Sequence, residues 1–390
     1  MEVSVQARSS ASGQAASVEK PLPGLEIRNL YKAFHGVEVV ADVNLTIETG
    51  EFVTLLGPSG SGKTTTLNMV AGFLIPDAGQ IFIGGQELSR VPPENRGLGM
   101  VFQSYALFPH MTVFENIAFP LKRRKIKGAE LKARVAKALE DVELTPRAQA
   151  KPRELSGGQQ QRAALARALV FEPSLILFDE PLGALDRRLR ERLQVQLREM
   201  HDRLGFTALY VTHDQEEALN LSDRIGIMNE AKLAQVGACE EIYRKPRSAF
   251  VAKFLGDANL LDVTVEDAAD QCVVRIDDSQ VVVSAATCSA DLHVAKGSKA
   301  QLVARPEALH VTGAGEAGDA LLASGHLTDR VFLGQDIVST VTTAQENRLT
   351  IRERPEGAVS RLVVGDAVDV MWRTFESAVI VPASEVVEAE

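Results

Sequence analysis

Short apolar runs alternate with helical patterns along the first 255 residues of the chain. The stretches "LEIRNLYKAF", "VEVVADVNLTI" and "EFVTLLG" have the spacing of β-strands, and a helical pattern begins at Gly62. Alternating strands and helices predict an α/β layered fold here. Further along, "GAELKARVAKALEDVEL" predicts an amphipathic helix whose apolar face consists of Leu131, Val135, Ala138, Leu139 and Val142.

The pattern changes after about Gly256. Short runs with strand character follow there, separated by Gly, Asp and Ser: "QCVVRI", "QVVVSA", "QLVAR", "DIVSTVTT" and "AVDVMW". This succession predicts a separate all-β barrel or sandwich. At the other end, residues 1–20 are rich in Ser, Ala and Gln and lack the apolar core of a secretion signal, which predicts a disordered tail. We therefore expect one domain over residues 21–255 and a second over 256–390.

Composition narrows the class of protein. The chain has 390 residues, which is too long for one ordinary core, and no apolar run of about 18 residues that would cross a bilayer. A formal charge of -10 argues against nucleic-acid binding, and the basic stretch "KRRKIK" is interpreted as a solvated helix end. The three cysteines form no close-spaced metal pattern and fit a reducing cytoplasm.

A phosphate-binding motif, "GPSGSGKTT", follows the strand "EFVTLL" and opens a helix. Backbone N–H groups in such a loop surround phosphate oxygens, and the helix N-terminus adds partial positive charge. We expect Lys63 to reach the β- and γ-phosphates and Thr64 to hold Mg²⁺. The predicted nucleotide-binding residues here are Gly57, Pro58, Ser59, Gly60, Ser61, Gly62, Lys63, Thr64 and Thr65.

Two carboxylates end the apolar run "LILFDEP". The carboxyl ends of strands in a doubly wound sheet face the ligand crevice, and side chains alternate along a strand. Asp179 and Glu180 can therefore serve different purposes. Asp179 suits the Mg²⁺ shell, through water, and Glu180 is then free to polarise the water that attacks the γ-phosphate. The alternative is that both carboxylates only cap the following turn.

Together these motifs resemble the ATP-binding subunits of ABC transporters, from about residue 25 to the end of the chain. The resemblance implies a P-loop NTPase fold of the ABC ATPase type with a helical subdomain at about 104–170, then an OB-like regulatory module. Phe34 matches the aromatic residue that stacks on adenine, with Tyr31 as the less favoured candidate. On its own, Phe34 would more often be a core residue.

Three further residues are assigned by this resemblance. Gln103, in "VFQSYALFP", matches the glutamine that senses Mg²⁺ and the attacking water. Asp186, in "GALD", matches the aspartate that crosses between subunits, and His213, in "YVTHD", matches the histidine that touches the γ-phosphate. The expected catalytic residues are therefore Glu180, His213 and Lys63, and the expected metal-site residues are Thr64, Gln103 and Asp179.

The stretch "LSGGQ" matches the signature of the family. In the family, ATP lies between the phosphate loop of one subunit and the signature of its partner, so we expect a dimer with itself or with a similar ATPase subunit. The signature residues would then complete the partner's site: Ser156, Gly157, Gly158 and Gln159. The alternative is a helix N-cap that binds no ligand.

The resemblance also implies partners and a location. Two integral membrane permease subunits would dock at Gln103–Phe119, although this aromatic stretch could equally be core. A solute-binding protein would be an indirect partner, and the chain would lie on the cytoplasmic face of the inner membrane.

The transported solute is expected to be a polyamine, because "PPENRGLGMVFQSYALFPHMTVFENIAFPL" most resembles the spermidine/putrescine type of importer. Ferric iron, maltose-type sugars and sulfate are the alternatives within the same branch. A soluble ABC ATPase of DNA repair or translation is the alternative of another class, but the chain has one phosphate loop and no long heptad stretch. A catalytically dead scaffold would have lost Lys63, Asp179 or Glu180, and all three are present.

Overall fold

A computed structural model describes residues 22–183, 185–268, 271–276, 279–284, 297–315, 321–373 and 378–382. The predicted tail, residues 1–20, lies outside them. The helices of the described part are α1 (Lys63–Ala71), α2 (Val113–Arg123), α3 (Gly128–Asp141), α4 (Gly157–Leu169), α5 (Arg187–Leu204), α6 (Gln215–Leu221), α7 (Cys239–Arg244) and α8 (Ala249–Phe254).

The strands up to residue 238 are β1 (Leu25–Phe34), β2 (Val37–Ile47), β3 (Phe52–Leu56), β4 (Ala78–Ile83), β5 (Gln86–Glu87), β6 (Gly99–Phe102), β7 (Ile176–Asp179), β8 (Ala208–Thr212), β9 (Arg224–Asn229) and β10 (Lys232–Ala238). The later strands are β11 (Asn259–Ala268), β12 (Gln271–Ile276), β13 (Ser279–Ser284), β14 (Lys299–Ala304), β15 (Leu309–Gly313), β16 (Leu321–Phe332), β17 (Ile337–Thr343), β18 (Arg348–Glu353), β19 (Ala367–Trp372) and β20 (Val379–Pro382).

A six-stranded sheet in the order β10-β9-β3-β8-β7-β6 forms the centre of the first part of the chain. Neighbouring strands from β9 to β6 are parallel, and only β10 pairs in the antiparallel sense. Every residue of β3 and of β8 is buried, which explains their continuous apolar sequences "FVTLL" and "ALYVT". The predicted α/β layered fold is confirmed.

A second, antiparallel sheet in the order β2-β1-β4-β5 covers α1. Its inward residues share one core with the central sheet and α1, including Leu25, Val43, Leu55 and Leu67. Beyond the other edge of the central sheet, α2, α3 and α4 form the helical region, and α4 packs against β6. The predicted apolar face of α3 is confirmed, because Leu131, Val135, Ala138, Leu139 and Val142 are all buried.

The last part of the described chain consists of two five-stranded antiparallel sheets, in the orders β13-β12-β11-β14-β20 and β15-β19-β16-β17-β18. Both contribute to a single core around Leu302 and Trp372. The predicted all-β module is therefore confirmed.

A buried arginine joins this module to α7 and α8. Arg305 donates hydrogen bonds to the carbonyl oxygens of Ala252 (2.8 Å), Asp257 (3.1 Å) and Tyr243 (3.0 Å). Its guanidinium also lies 4.1 Å from the centre of the Tyr243 ring, whose hydroxyl donates to Glu307. The predicted boundary between residues 255 and 256 falls inside this contact and stays a prediction.

Candidate functional site

Four neighbouring parallel strands end at one edge of the central sheet, and a sequence-predicted residue follows each of them. Gly57 follows β3, His213 follows β8, Glu180 follows β7 and Gln103 follows β6. The register pairs Leu56 with Thr212, Val211 with Asp179, and Asp179 with Phe102. The four segments therefore lie side by side in the order phosphate loop, His213, Glu180, Gln103.

The phosphate loop, residues 57–65, fits closely against its surroundings. A Cβ atom on Gly57 would lie 2.3 Å from the Met228 carbonyl oxygen, and one on Gly62 would lie 2.3 Å from that of Val39. Gly62 also has a φ of 101°. It occupies the N-cap position of α1, and no side chain caps this helix. The loop thus requires bare backbone, and the first N–H groups of α1 have no capping side chain, as an anion site needs.

Lys63 curls back over its own loop. It is 5 % exposed, and its Nζ donates to the carbonyl oxygens of Gly57 and Pro58, each at 2.8 Å. Burial lowers the pKa of Lys63, and the negative charge of Glu180 partly opposes this shift. The hydroxyl of Ser61 is buried nearby with no hydrogen-bond partner among the described residues. The buried charge of Lys63 and the unpaired hydroxyl of Ser61 lie in one loop. Both groups can donate hydrogen bonds to the phosphate oxygens of a nucleotide.

The two carboxylates at the end of β7 have different surroundings. Desolvation raises the pKa of Asp179, and the charge of Glu180 raises it further. Glu180 has a left-handed backbone with a φ of 44°, and its N–H donates to the Val211 carbonyl at 3.1 Å. Its Oε2 lies 3.2 Å from Nδ1 of His213, whose side chain is 58 % exposed.

Gln103 is exposed and approaches the same place from the next strand. A Cβ atom built on Gly183 would lie 3.4 Å from Gln103 Nε2 and 3.7 Å from Glu180 Oε2. The amide of Gln103 and the carboxylate of Glu180 therefore flank one point in front of the sheet. Glycine at 183 keeps that point open.

The predicted adenine-stacking residue lies at the tip of the β1–β2 hairpin. Phe34 is 41 % exposed and pairs with Val37, which is 66 % exposed. The neighbouring carbonyl of Val39 contacts Gly62, so this apolar tip lies beside the phosphate loop. Tyr31, the less favoured candidate, donates its hydroxyl to Glu38 at 3.0 Å. Phe34 is thus an exposed residue and not part of the core.

The signature residues open helix α4. Ser156 is exposed and caps the helix, because its Oγ accepts from Gln159 N while the Gln159 side chain accepts from Ser156 N. A Cβ on Gly158 would lie 2.8 Å from Leu193 Cδ2, so packing of α4 on α5 explains this glycine. The nearest atom to a Cβ on Gly157 is 3.7 Å away, an ordinary contact. Among the described residues, no neighbour of Gly157 requires the absence of a side chain.

Asp186 is exposed and caps helix α5, where its Oδ1 accepts from Leu189 N at 3.0 Å.

Sequence reasoning did not identify the buried carboxylate behind His213. Glu217 is 1 % exposed and accepts hydrogen bonds from the hydroxyls of Tyr210 (2.8 Å) and Thr212 (2.7 Å). Its position three residues after Asp214, the N-cap of α6, has the spacing of a capping box and is the signal that could have indicated it.

The described residues contain no group of three or more His, Cys, Asp or Glu side chains that could hold a metal ion. Within the same residues, no helix combines the length and apolar character that a bilayer crossing requires.

Comparison with known proteins gives two family matches. The ABC transporter model matches residues 40–183 and the TOBE domain model matches residues 302–379. One solved structure, cbiO1 from Clostridium perfringens, described as part of the ABC transporter complex cbiONQ, is 27% identical with a TM-score of 0.53. The match covers 57% of this chain and 91% of that one.

Three relatives are similar along most of their length, and each bears the name spermidine/putrescine import ATP-binding protein PotA. The protein of Vibrio vulnificus is 43% identical over 85% of this chain and 87% of its own. PotA 2 of Pseudomonas aeruginosa is 47% identical over 90% and 97%, and the protein of Thermobifida fusca is 42% identical over 94% and 96%. With the phosphate loop, the carboxylate pair and the signature in place, the chain belongs to the family of ATP-binding subunits of ABC transporters.

Proposed function

We propose that this protein hydrolyses ATP to power the import of a polyamine, spermidine or putrescine, through a membrane transporter. The observation that carries the proposal is the row of four strand ends, which brings the phosphate loop, His213, Glu180 and Gln103 together. The polyamine assignment is supported by the names of relatives that are 42% to 47% identical.

Binding of ATP begins with the phosphate loop and the hairpin tip. Lys63 exchanges its two carbonyl partners for phosphate oxygens, which relieves the desolvation of its charge. The N–H groups of residues 57–65 and the hydroxyl of Ser61 surround the same oxygens. Phe34 stacks on adenine, and Val37 widens the apolar surface on which the base rests.

Hydrolysis depends on the groups at the ends of β6, β7 and β8. Glu180 accepts a proton from the attacking water, His213 holds the γ-phosphate, and Gln103 orients the water from the other side. Thr64, Asp179 and Gln103 offer oxygen atoms, the ligand type that Mg²⁺ prefers, so the residues present fit this ion. When bound, Mg²⁺ would neutralise charge on the phosphates.

A second copy of the chain, or a similar ATPase subunit, completes the site. Gly157 supports this proposal. Its own chain leaves room for a side chain at that position, so contacts within the chain do not explain the glycine. A phosphate group from a partner that approaches the helix N-terminus would need the bare backbone instead. Ser156 and Gln159 lie at that N-terminus, and Asp186 lies exposed at the start of the next helix.

The stretch Gln103–Phe119 is the proposed contact with two membrane permease subunits. It is partly core, since Tyr105, Val113 and Ile117 are buried. Phe108 and Phe119 are half-buried, with ring centres 4.7 Å apart, and form an apolar pair within the stretch that follows Gln103. This docking places the protein on the cytoplasmic face of the inner membrane, where the solute-binding protein is an indirect partner and no nucleic acid is involved.

Uptake of labelled spermidine and putrescine by cells that lack this chain tests the proposal. We expect uptake to be lost, and to return with the parent chain and not with Glu180→Gln. If the cells lose uptake of ferric iron, maltose or sulfate and keep polyamine uptake, the assigned solute changes to that compound. The assignment as a transport ATPase then stands. Copurification of two integral membrane proteins is expected, and copurification with a ribosome or DNA in their place would contradict the function itself.

A further inference from the structure

Arg190 lies one turn into helix α5 and contacts two segments of the site at once. Its Nη1 lies 2.6 Å from Asp214 Oδ2, and its Nη2 donates to the Leu185 carbonyl oxygen at 3.1 Å. Its Nε is 3.8 Å from Glu217 Oε1. Arg190 has about a quarter of its side chain exposed (26%), so these ion pairs are only partly screened by water.

The two segments that Arg190 contacts carry the facing catalytic candidates. Leu185 follows Glu180 by five residues, and Asp214 directly follows His213. One guanidinium therefore links the Glu180 segment to the His213 segment, next to the point where Glu180 Oε2 and His213 Nδ1 are 3.2 Å apart. An arginine can do this because its planar group directs several N–H donors at fixed angles.

The residues on either side of His213 are fixed independently of the histidine. Asp214 N donates to Thr212 Oγ1 at 3.0 Å, and Thr212 Oγ1 donates to the buried Glu217. Asp214 also caps α6 by accepting from Glu217 N at 3.1 Å. The imidazole itself is exposed, so its place is set by the backbone of this segment and by the group that holds Asp214.

We infer that Arg190 is a positioning residue that holds His213 against Glu180 in the geometry that ATP hydrolysis requires. The inference rests on the proposed roles of Glu180 and His213. Within the described part of the chain, Arg190 makes no hydrogen bond or ion pair with either side chain, and it acts through the Leu185 carbonyl and the Asp214 carboxylate. A displacement of about 1 Å in a catalytic group can lower a rate by about 10²-fold.

The same helix offers a matched control. Arg198, two turns further along α5, makes the same kind of bridge to the far end of α6: its Nη1 donates to the Leu221 carbonyl and to Asp223 Oδ1, each at 2.9 Å. Both arginines therefore fasten α5 to the α6 region, but only Arg190 does so beside His213. A role limited to packing of the two helices would make both equally important for activity.

The test compares four single variants of the full-length protein: Arg190→Ala, Asp214→Asn, Arg198→Ala and His213→Ala. Asparagine caps helices about as well as aspartate, so Asp214→Asn removes the charge that Arg190 contacts and keeps the cap of α6. ATP affinity, the single-turnover rate of hydrolysis at saturating ATP and the thermal midpoint are measured for each. The double variant Arg190→Ala/His213→Ala completes the cycle.

We expect Arg190→Ala and Asp214→Asn to lower the hydrolysis rate by about 10- to 100-fold, with ATP affinity within about threefold of the parent. Arg198→Ala should keep the rate within about threefold, whatever its effect on the thermal midpoint. In the His213→Ala background, Arg190→Ala should change the rate by no more than about twofold, because the group it positions is gone.

Multiplicative effects in the double variant, or equal rate losses in Arg190→Ala and Arg198→Ala, would overturn the inference. If Arg190→Ala does not fold, Asp214→Asn takes its place in the test. Its rate loss is then compared with that of Arg198→Ala and measured again in the His213→Ala background. If His213→Ala or Glu180→Gln alone hydrolyses ATP at the parental rate, the catalytic roles in the proposed function are wrong, which is a separate result from any effect of Arg190.

Discussion

His213 Nδ1 and Glu180 Oε2 lie 3.2 Å apart, although they belong to different strand ends. The contact arises because β7 and β8 are parallel neighbours, with Asp179 paired to Val211. The left-handed backbone of Glu180 then turns its side chain away from the direction of Asp179. The phosphate-holding candidate and the base candidate are therefore in direct contact.

The first prediction concerns Glu180→Gln. We expect this variant to bind ATP with unchanged affinity and to lose hydrolysis by about 10² to 10⁴, the usual contribution of a general base. Dimers with trapped ATP should accumulate and are measured by gel filtration with labelled nucleotide. The control is Glu216→Gln, an exposed carboxylate on α6, which should hydrolyse ATP at the parental rate. Equal rates in both variants would show that Glu180 is not the base.

Stability should depend on pH at Asp179. Its raised pKa means that the folded protein holds this proton more tightly than the unfolded chain, so the ionised carboxylate destabilises the nucleotide-free fold at neutral pH. Asp179→Asn should therefore raise the free energy of unfolding at pH 7. The gain should shrink as the pH falls through the raised pKa towards the ordinary value of 3.8.

Asp42 provides a control of opposite sign for this pH dependence. Hydrogen bonds from Asn29 and Asn44 lower the pKa of Asp42, so its charge favours the folded state above the ordinary pKa of a carboxylate. Asp42→Asn should lose stability at pH 7, and the loss should fade in acid. Thermal unfolding of both variants between pH 3 and 7 makes the comparison. The same sign for both variants would contradict the assignment.

Phe34→Ala should weaken ATP binding by about 5- to 150-fold, since stacking on a base contributes about 1 to 3 kcal/mol. The fold should be unaffected because the ring is already 41 % exposed. Tyr31→Phe removes only the hydroxyl that contacts Glu38 and should bind ATP normally. Titration with a fluorescent ATP analogue measures both, and an unchanged affinity in Phe34→Ala would contradict the stacking role of Phe34.

Mixing of two inactive variants tests whether the signature serves a partner's ATP. Lys63→Ala disables the phosphate loop, and Ser156→Asp keeps the cap of α4 while a carboxylate repels phosphate. In a mixed dimer, the intact loop of one chain faces the intact signature of the other, so one site is restored. We expect ATP trapping at one nucleotide per mixed dimer.

Ser156→Asn is the control for that experiment, because it caps the helix without a charge. It should trap nucleotide better than Ser156→Asp. Mixed dimers that form and trap no more nucleotide than either unmixed variant would mean that each signature serves its own chain.

Arg305→Met should destabilise the junction between α8 and the β-rich module by about 2 to 4 kcal/mol, because several buried carbonyl oxygens lose a charged donor. The control is Arg352→Met, whose exposed ion pair with Asp257 crosses the same junction and contributes at most about 1 kcal/mol. Calorimetry should show the β-rich module unfolding separately in Arg305→Met only. Equal effects would mean that the burial of Arg305 adds nothing.

Local patterns made much of this fold predictable. The bounds of β1, β2 and β12 follow from contiguous alternation, and each site motif is recognisable because its residues are neighbours in sequence. The topology then brings the motifs together, since parallel strands share one carboxyl edge. The place of Glu180 at this edge follows from its strand, whereas His213 was assigned to the site by the family resemblance.

Contacts between distant residues were not predictable in the same way. Nothing in the sequence near Arg190 indicates Asp214, and nothing near Arg305 indicates the carbonyl oxygens of Tyr243 and Ala252. The left-handed conformation of Glu180 is hidden too, because that region normally favours glycine, asparagine or aspartate. These features depend on how whole elements pack, which single-sequence patterns do not contain.

The order of strands in the central sheet has a consequence for synthesis of the protein. Strand β8 lies between β3 and β7 but follows both in the sequence. In a nascent chain that has not yet released residues 208–212 from the ribosome, β3 with the phosphate loop has no neighbour in this sheet, and Glu180 follows the separate pair of β6 and β7. The strand ends that carry the phosphate loop, His213 and Glu180 therefore come side by side only after β8 has been synthesised.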